Sequence, residues 1–230
     1  ELLSTGGTHK AISEAGVSVR EVSDYTGFPE MMNGRVKTLH PMVHGGILAL
    51  RDESTHVEAM ETHGIGGIDL VVVNLYPFES TVAKEGVSRA EAVEQIDIGG
   101  PSMVRSAAKN HRHVAILTDP SDYGRAIEEM QSSDGGMTDG FRRELAAKAF
   151  ALTARYDTAI SAWLHGQEVA DENTESRWPD SYATAGVKQM ELRYGENPHQ
   201  TAAFYTSTAT GEPSVANAEV LNGKALSYNN

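Results

Sequence analysis

The stretch "QIDIGGPSMVRSAAKN" (95–110) gathers the ingredients of a reaction site. Asp97 stands between two isoleucines, Gly99, Gly100 and Pro101 follow at once, and an amphipathic run then carries Arg105 and Lys109 four residues apart. The order predicts a carboxylate, a glycine turn and a helix that starts near Pro101, a residue suited to a first helical position. Arg105 and Lys109 then share one face. A carboxylate and an ammonium that meet in a pocket each favour the other's charged form. Such a pair can move protons and stabilise developing charge. A capped helix with a solvated lysine fits the same letters, and the sequence alone leaves both readings open.

Three further stretches carry polar groups in patterns that suit a phosphorylated ligand. "STGGT" supplies Ser4, Thr5, Gly6, Gly7 and Thr8. Glycines let a backbone approach a ligand, and the following helix would turn its free N–H groups and positive dipole end outward. A plain Gly-Gly turn before a helix reads the same way. "GRVKTLHP" (34–41) places Arg35, Lys37, Thr38 and His40 before a proline. In an extended segment Arg35 and Lys37 fall on one side, as two cations for a dianion; a solvated basic loop is the alternative. His40 reads as a structural hydrogen-bonding residue rather than a base. "NLYPF" ends an apolar run with Asn74 and Tyr76, which could face a ligand or cap a strand end.

The elements needed to hold these residues alternate in type. "ELLSTGG" reads as a strand entering a turn, and "THKAISEAG" as a helix capped by Thr8 and stopped by Gly16. "VSVREVSDY" (17–25) alternates as a strand does. "DLVVVNLYPF" (69–78) and "HVAILTD" (113–119) read as strands, the first buried on both faces. "SRAEAVEQI" opens with Ser88 and places Glu91 three residues on, a capping box. "DPSDYGRAIEEM" begins with Asp119 as a cap and Pro120 at the first helical position. Residues 141–166 form a long helical stretch, with a break allowed, and the polar run that follows reads as a linker. Strands alternating with helices predict an α/β fold with a parallel sheet covered on both faces. In such a sheet, ligands sit outside the carboxyl ends of the strands, where "STGGT" and "NLYPF" both fall.

Composition narrows the function classes. The 32 acidic against 19 basic residues give a net charge of -13, which disfavours non-specific binding to nucleic acid or to an anionic membrane. A local Arg35–Lys37 cluster can still hold an anionic small molecule. The chain lacks cysteine, so disulfides and zinc–thiolate sites are excluded, and no metal site is expected. No apolar run is long enough to cross a bilayer.

Taken together and in this order, "STGGT", "GFPEMMNGRVKTLHPMVHGGIL", "VVVNLYPF", "EAVEQIDIGGPSMVRSAAKNH" and "LRYGENPHQTAAFY" resemble the bifunctional purine biosynthesis family, in which IMP cyclohydrolase is joined to AICAR transformylase. The resemblance covers nearly the whole chain. It implies a methylglyoxal-synthase-like α/β domain over 1–166, a linker over 167–186, and over 187–230 the start of a cytidine-deaminase-like transformylase domain. It also implies a cytoplasmic protein, a homodimer at full length, and purine ribonucleotides (FAICAR, IMP and AICAR) as small-molecule partners. No cofactor is implied for the cyclohydrolase, and 10-formyltetrahydrofolate is implied as the co-substrate of the transformylase.

The family pattern, carried over residue by residue, implies that Ser4, Thr5, Gly6, Gly7, Thr8, Arg35, Lys37 and Thr38 hold the substrate phosphate. It implies that Asn74, Tyr76, Asp97, Gly99, Gly100 and Lys109 surround the base. Within that set the catalytic expectation is that Asp97, paired with Lys109, relays the carboxamide proton while Lys37 and Tyr76 stabilise the adduct. Arg193 and Tyr194 match AICAR-contacting positions. The chain opens inside a strand-like run without a methionine. It is therefore expected to be a piece of a longer protein, lacking an upstream strand and helix that carry a nucleotide-contacting serine and lysine. The transformylase's lysine–histidine pair is expected beyond Asn230. Two other members of the fold offer alternatives: a methylglyoxal-synthase-like lyase, and a module that binds a phosphorylated ligand without turnover.

Overall fold

The computed structural model describes residues 1–169, 181–206 and 214–229. The elements run in the order β1 (Leu3–Ser4), α1 (Gly6–Glu14), β2 (Arg20–Glu21), α2 (Val22–Thr26), a 3-10 turn (Met32–Gly34), α3 (Pro41–Leu48), α4 (Ser54–His63) and β3 (Leu70–Val72). They continue with α5 (Phe78–Val82), α6 (Arg89–Glu94), α7 (Gly99–Lys109), β4 (Ala115–Leu117), a second 3-10 turn (Pro120–Asp122), α8 (Tyr123–Ser132), α9 (Asp139–Val169), β5 (Val187–Leu192) and β6 (Ala202–Thr206). Two compact units emerge. The first comprises Glu1–Tyr76 and Asp97–Thr153, the second Pro77–Ile96 and Ala154–Asn230. Part of the sequence-derived linker, residues 170–180, lies outside the described residues.

In the first unit the core is centred on β4, all three of whose residues are buried. Val104, Ala107 and Ala108 of α7 pack there with Phe141, Leu145 and Ala149 of α9. Small residues on α7 let the helix lie close to the strand, while the large side chains come from α9. Each fully buried phenylalanine or leucine contributes about 1.5–3 kcal/mol. At the edge of this unit Lys148 Nζ reaches the buried Asp122 carboxylate at 2.6 Å. That bond, with a second to Glu144, holds the Lys148 ammonium above its ordinary pKa.

The strands are shorter than the sequence predicts. β1 pairs with β2 and β3 with β4, both in parallel, as separate two-stranded ladders rather than one wide sheet. Residues 17–25 give only the two residues of β2 before the chain turns helical in α2. Arg20 there lies over the Tyr25 ring, and the Tyr25 hydroxyl accepts from the Gly66 amide at 3.0 Å, so tertiary contacts override the alternating pattern. Residues 69–78 give β3 alone. Val71 is buried but Val72, on the opposite face of the strand, is half exposed, so only one face of β3 is covered at this point. Burial on both faces is thus not what the run of valines encodes here.

Most helix starts are where the sequence places them. The Ser88–Glu91 capping box is complete, and the Ser88 amide and hydroxyl hold the Glu91 carboxyl below its ordinary pKa. Asp119 caps the turn that leads into α8, accepting from the Ser121 amide at 2.8 Å. Three details differ. The N-cap of α1 is Thr5, so Thr8 sits inside the first turn. α7 starts at Gly99, two residues before Pro101. α9 runs without a break over Asp139–Val169.

The second unit holds α5, α6, the later part of α9 and a hairpin. Phe78, 1% exposed, meets the Tyr156 and Trp163 rings edge-on at 6.2 and 5.7 Å. The Tyr156 hydroxyl donates to the Gln95 carbonyl at 3.0 Å. β5 and β6 pair antiparallel, and bonds from the Arg193 amide to the Leu226 carbonyl and from the Tyr228 amide to the Tyr194 carbonyl tie residues 226–228 to the residues that follow β5. From Val187 onward Gly195 and Ser227 are the only described residues that are buried, so the hairpin brings no apolar core of its own.

Candidate active site

The first unit brings four separate stretches of sequence to one place. α1 opens with Thr5 as an N-cap whose side chain makes no capping bond. The first-turn amides of Gly6, Gly7 and Thr8 therefore have no intrahelical partner and face an exposed surface. Lys37 covers this helix start: its Nζ lies 3.6 Å from the point where a Gly6 Cβ would stand. The strap that carries Lys37 is closed by a bridge between Met31 and Val36. Gly34 makes the strap possible. Its φ is +89°, and a Cβ there would come within 2.8 Å of Glu30 Oε1 and 2.9 Å of Lys37 Cε.

One residue beyond Lys37 the strap touches a second helix start. Thr38 Oγ1 lies 3.0 Å from where a Gly99 Cβ would stand, at the first turn of α7. Asp97 closes that turn. Its Oδ1 accepts from the Gly100 amide at 2.8 Å and its Oδ2 from the Tyr76 amide at 3.4 Å. Gly100 is buried, and a Cβ there would overlap the Asp97 carboxylate and reach Leu75. Asp97 thus ties the end of "NLY" to the start of α7. Gly6, Lys37, Thr38, Tyr76, Asp97, Gly99 and Gly100 form one connected surface, with cation and free amides at one end and carboxylate and tyrosine at the other. The arrangement can hold an anion and present a proton acceptor to a group bound beside it.

The remaining residues singled out in the sequence fall around this surface or away from it. Ser4 precedes the Thr5 cap, half-buried at the end of β1. Arg35 and Asn74 are exposed, and Arg35 ends the 3-10 turn in a helical conformation, so the extended geometry that would set it on one side with Lys37 is not present there. Lys109 is exposed in the last turn of α7. The helix from Gly99 to Lys109 rises about 15 Å, which puts Asp97 and Lys109 at opposite ends and not in the direct pair the sequence suggests. Arg193 and Tyr194 belong to the second unit. There the Arg193 guanidinium donates to the Ala225 carbonyl and lies 5.2 Å from the Tyr194 ring centroid.

Two participants escaped the sequence reading. Glu30 pairs with Lys37 at 3.5 Å; the letters "FPE" gave no sign that a left-handed turn would fold the carboxylate back onto the lysine. His44 hydrogen-bonds Ser106 across 62 residues of sequence at 3.2 Å. His40, in contrast, caps α3 by accepting from the Met42 amide at 3.2 Å, a structural bond of the kind expected for it. Among the described residues no group of three or more histidines and carboxylates is placed to hold a metal ion. No described helix is long and apolar enough to cross a membrane.

Known proteins match along the whole chain. The profile of the MGS-like domain matches residues 1–102, and that of the AICARFT/IMPCHase bienzyme matches residues 107–230. The bifunctional purine biosynthesis protein PurH of Caulobacter vibrioides is 58% identical over 230 residues, which are 100% of this chain and 42% of that protein. The PurH of Magnetococcus marinus is 55% identical over 229 residues, 99% of this chain and 43% of that protein. The chain thus spans less than half the length of these relatives. The crystal structure of ForH superposes with a TM-score of 0.63 at 37% identity, covering 71% of this chain and 83% of that one. With more than half of its length matched by the bienzyme profile and most of the rest by an MGS-like domain, the chain belongs to the AICARFT/IMPCHase bienzyme family.

Proposed function

We propose that the surface around Lys37 and Asp97 is an IMP cyclohydrolase site, closing the ring of FAICAR to IMP with loss of water. The observation that carries this reading is the Lys37–Thr38 strap, which touches two helix starts at once: Gly6 of α1 and Gly99 of α7. A ribonucleotide has its phosphate at one end and its base at the other, and the strap joins sites suited to each.

At the phosphate end, Ser4, Thr5, Thr8 and the amides of Gly6 and Gly7 act with Lys37, Arg35 and Thr38. Charge-assisted bonds to a dianion are stronger than neutral ones. At the base end, Asp97 accepts a proton from the carboxamide nitrogen as that nitrogen attacks the formyl carbon. A C–N bond forms and the formyl oxygen becomes an alkoxide. Tyr76 stabilises that charge, Asn74 and the Gly99 amide orient the ring, Gly100 fixes the Asp97 carboxylate through its own amide, and the proton is returned to the oxygen. The hydroxyl then leaves as water, taking with it the proton of the former formamido nitrogen, and a C=N bond closes the purine. Every atom is supplied by FAICAR, and the chemistry asks only for proton transfer. Lys109, at the far end of α7, is assigned a separate role as a distal cation.

The same reading extends to the rest of the relatives' length: an AICAR transformylase that uses 10-formyltetrahydrofolate, with Arg193 and Tyr194 helping to hold AICAR. It includes a methylglyoxal-synthase-like sheet covered on both faces in the first domain, a cytidine-deaminase-like second domain, a homodimer and a cytoplasmic location. The test is a steady-state assay with FAICAR, following IMP absorbance, on a protein of the relatives' full length bearing this sequence. Turnover that is lost in Asp97→Asn supports the site. Binding of IMP without any turnover would instead favour a ligand-binding module, and turnover of dihydroxyacetone phosphate to methylglyoxal would favour the lyase.

A further inference from the structure

α3 and α7 lie side by side, each opening where the strap and the Asp97 turn meet: Pro41 follows Thr38 by three residues, and Gly99 follows Asp97 by two. Two polar links join the helices. At their far ends the buried Asn110 donates from Nδ2 to the Ile47 carbonyl at 2.7 Å and the Ala49 carbonyl at 3.0 Å. Nearer the site, His44 Nδ1 and Ser106 Oγ stand 3.2 Å apart.

The direction of the second link follows from proton counting. Ser106 Oγ donates its single proton to the Ser102 carbonyl at 2.7 Å. Toward His44 it can only accept, so Nδ1 carries the imidazole proton. His44 Nε2 is then a bare lone pair, and it is buried with no partner among the described residues. An unpaired acceptor is the less costly orphan. A purely apolar side chain would bury no unpaired nitrogen there, so the link to Ser106 is what distinguishes the histidine from simple filler.

We infer that His44 is a positioning residue for the ring-closing site: through Ser106 it holds the Lys37–Thr38 strap in register with Asp97, Gly99 and Gly100. The inference rests on the cyclohydrolase reading. With the link removed, the Asn110 clamp keeps the far ends of α3 and α7 together while their near ends drift. A substrate whose phosphate is held by the strap and whose base is held by α7 then loses simultaneous contact with both. Its binding weakens before its chemistry does.

The experiment measures FAICAR ring closure in the full-length protein for His44→Leu, Ser106→Ala, the double variant, His44→Asn and, as a reference, Asp97→Asn. The amide nitrogen of Asn takes the place of Nδ1. KM is expected to rise about tenfold in His44→Leu and Ser106→Ala, with kcat within about threefold of wild type. The double variant should be no worse than His44→Leu, since both break one bond. His44→Asn should restore KM to within about threefold. A purely structural defect would lower kcat through loss of active molecules and leave KM unchanged. If His44→Leu does not fold, Ser106→Ala, which removes one oxygen, decides the matter. Unchanged KM in Ser106→Ala together with impaired Asp97→Asn overturns the inference. Full activity in Asp97→Asn overturns the cyclohydrolase reading instead.

Discussion

Lys37 and Glu30 are an ion pair, 3.5 Å apart, at the opening of α1. The cation that faces Gly6 is therefore held by a carboxylate seven residues back rather than left to move in solvent. An incoming phosphate meets an ammonium already placed. Replacing Lys37 with alanine removes a charge-assisted contact worth roughly 1.5–3 kcal/mol. Ring closure in the full-length protein should fall about 10- to 150-fold in kcat/KM. Wild-type turnover by a folded Lys37→Ala protein would return the residue to the role of a solvated strap lysine.

Gly100 offers a sharper test of the base end. A methyl group there would overlap Asp97 Oδ2 and press on Leu75, with no solvent-exposed direction of escape because the residue is buried. Gly100→Ala should displace the carboxylate from the Tyr76 and Gly100 amides. Crowding of this kind costs about 1–3 kcal/mol. Urea denaturation should show that loss, and ring closure should fall with it. Wild-type stability and turnover in Gly100→Ala would mean that the Asp97 turn adapts freely and is not the fixed element described.

The local signals proved legible because each depends on a few adjacent residues. The Ser88–Glu91 box and the Asp119–Pro120 start are read directly from letters. The grouping of Gly6, Lys37, Asp97 and Gly100 into one site was expected only from the family resemblance of several motifs taken together, since each alone fits a bland loop, and it stands as a proposal. What the letters hid were relationships set by distance through the fold. The alternation in residues 17–25 lost to the packing of Tyr25 against Arg20 and Gly66. Asp97 and Lys109 looked like neighbours because both flank one short helix, yet helical rise separates them. Glu30 and His44 lie within one of the quoted motifs, but its letters do not name their partners, which are found only once the strap and α7 are in place.

That separation alters what a double substitution should do. A direct Asp97–Lys109 pair would make the two losses overlap. At opposite ends of α7 the residues are farther apart than the 7–10 Å beyond which effects usually add. The free-energy losses of Asp97→Asn and Lys109→Ala in ring closure should therefore sum in the double variant to within about 0.5 kcal/mol. A double variant no worse than the poorer single would show that the two act as one proton-handling unit, and that α7 or its surroundings rearrange when substrate binds.

His44 should also leave a mark on stability at acid pH. Burial pushes its imidazole below the ordinary value of 6.5. The unfolded chain then binds a proton more readily than the folded one. The stability contributed by neutral His44 is fully present above about pH 6.5 and erodes as pH falls from there toward the folded-state value. His40 and Arg105 line the same open cavity as His44, so protonation would add a positive charge beside an existing cation. Asparagine cannot take up that proton. The stability difference between wild type and His44→Asn should therefore be largest near pH 8 and shrink toward pH 5, measured by urea unfolding at both values and at pH 6.5. The comparison cancels the other eight histidines, which both proteins share. A difference that stays constant across this range would show that His44 titrates alike in the folded and unfolded chain, and that its burial imposes no acid sensitivity.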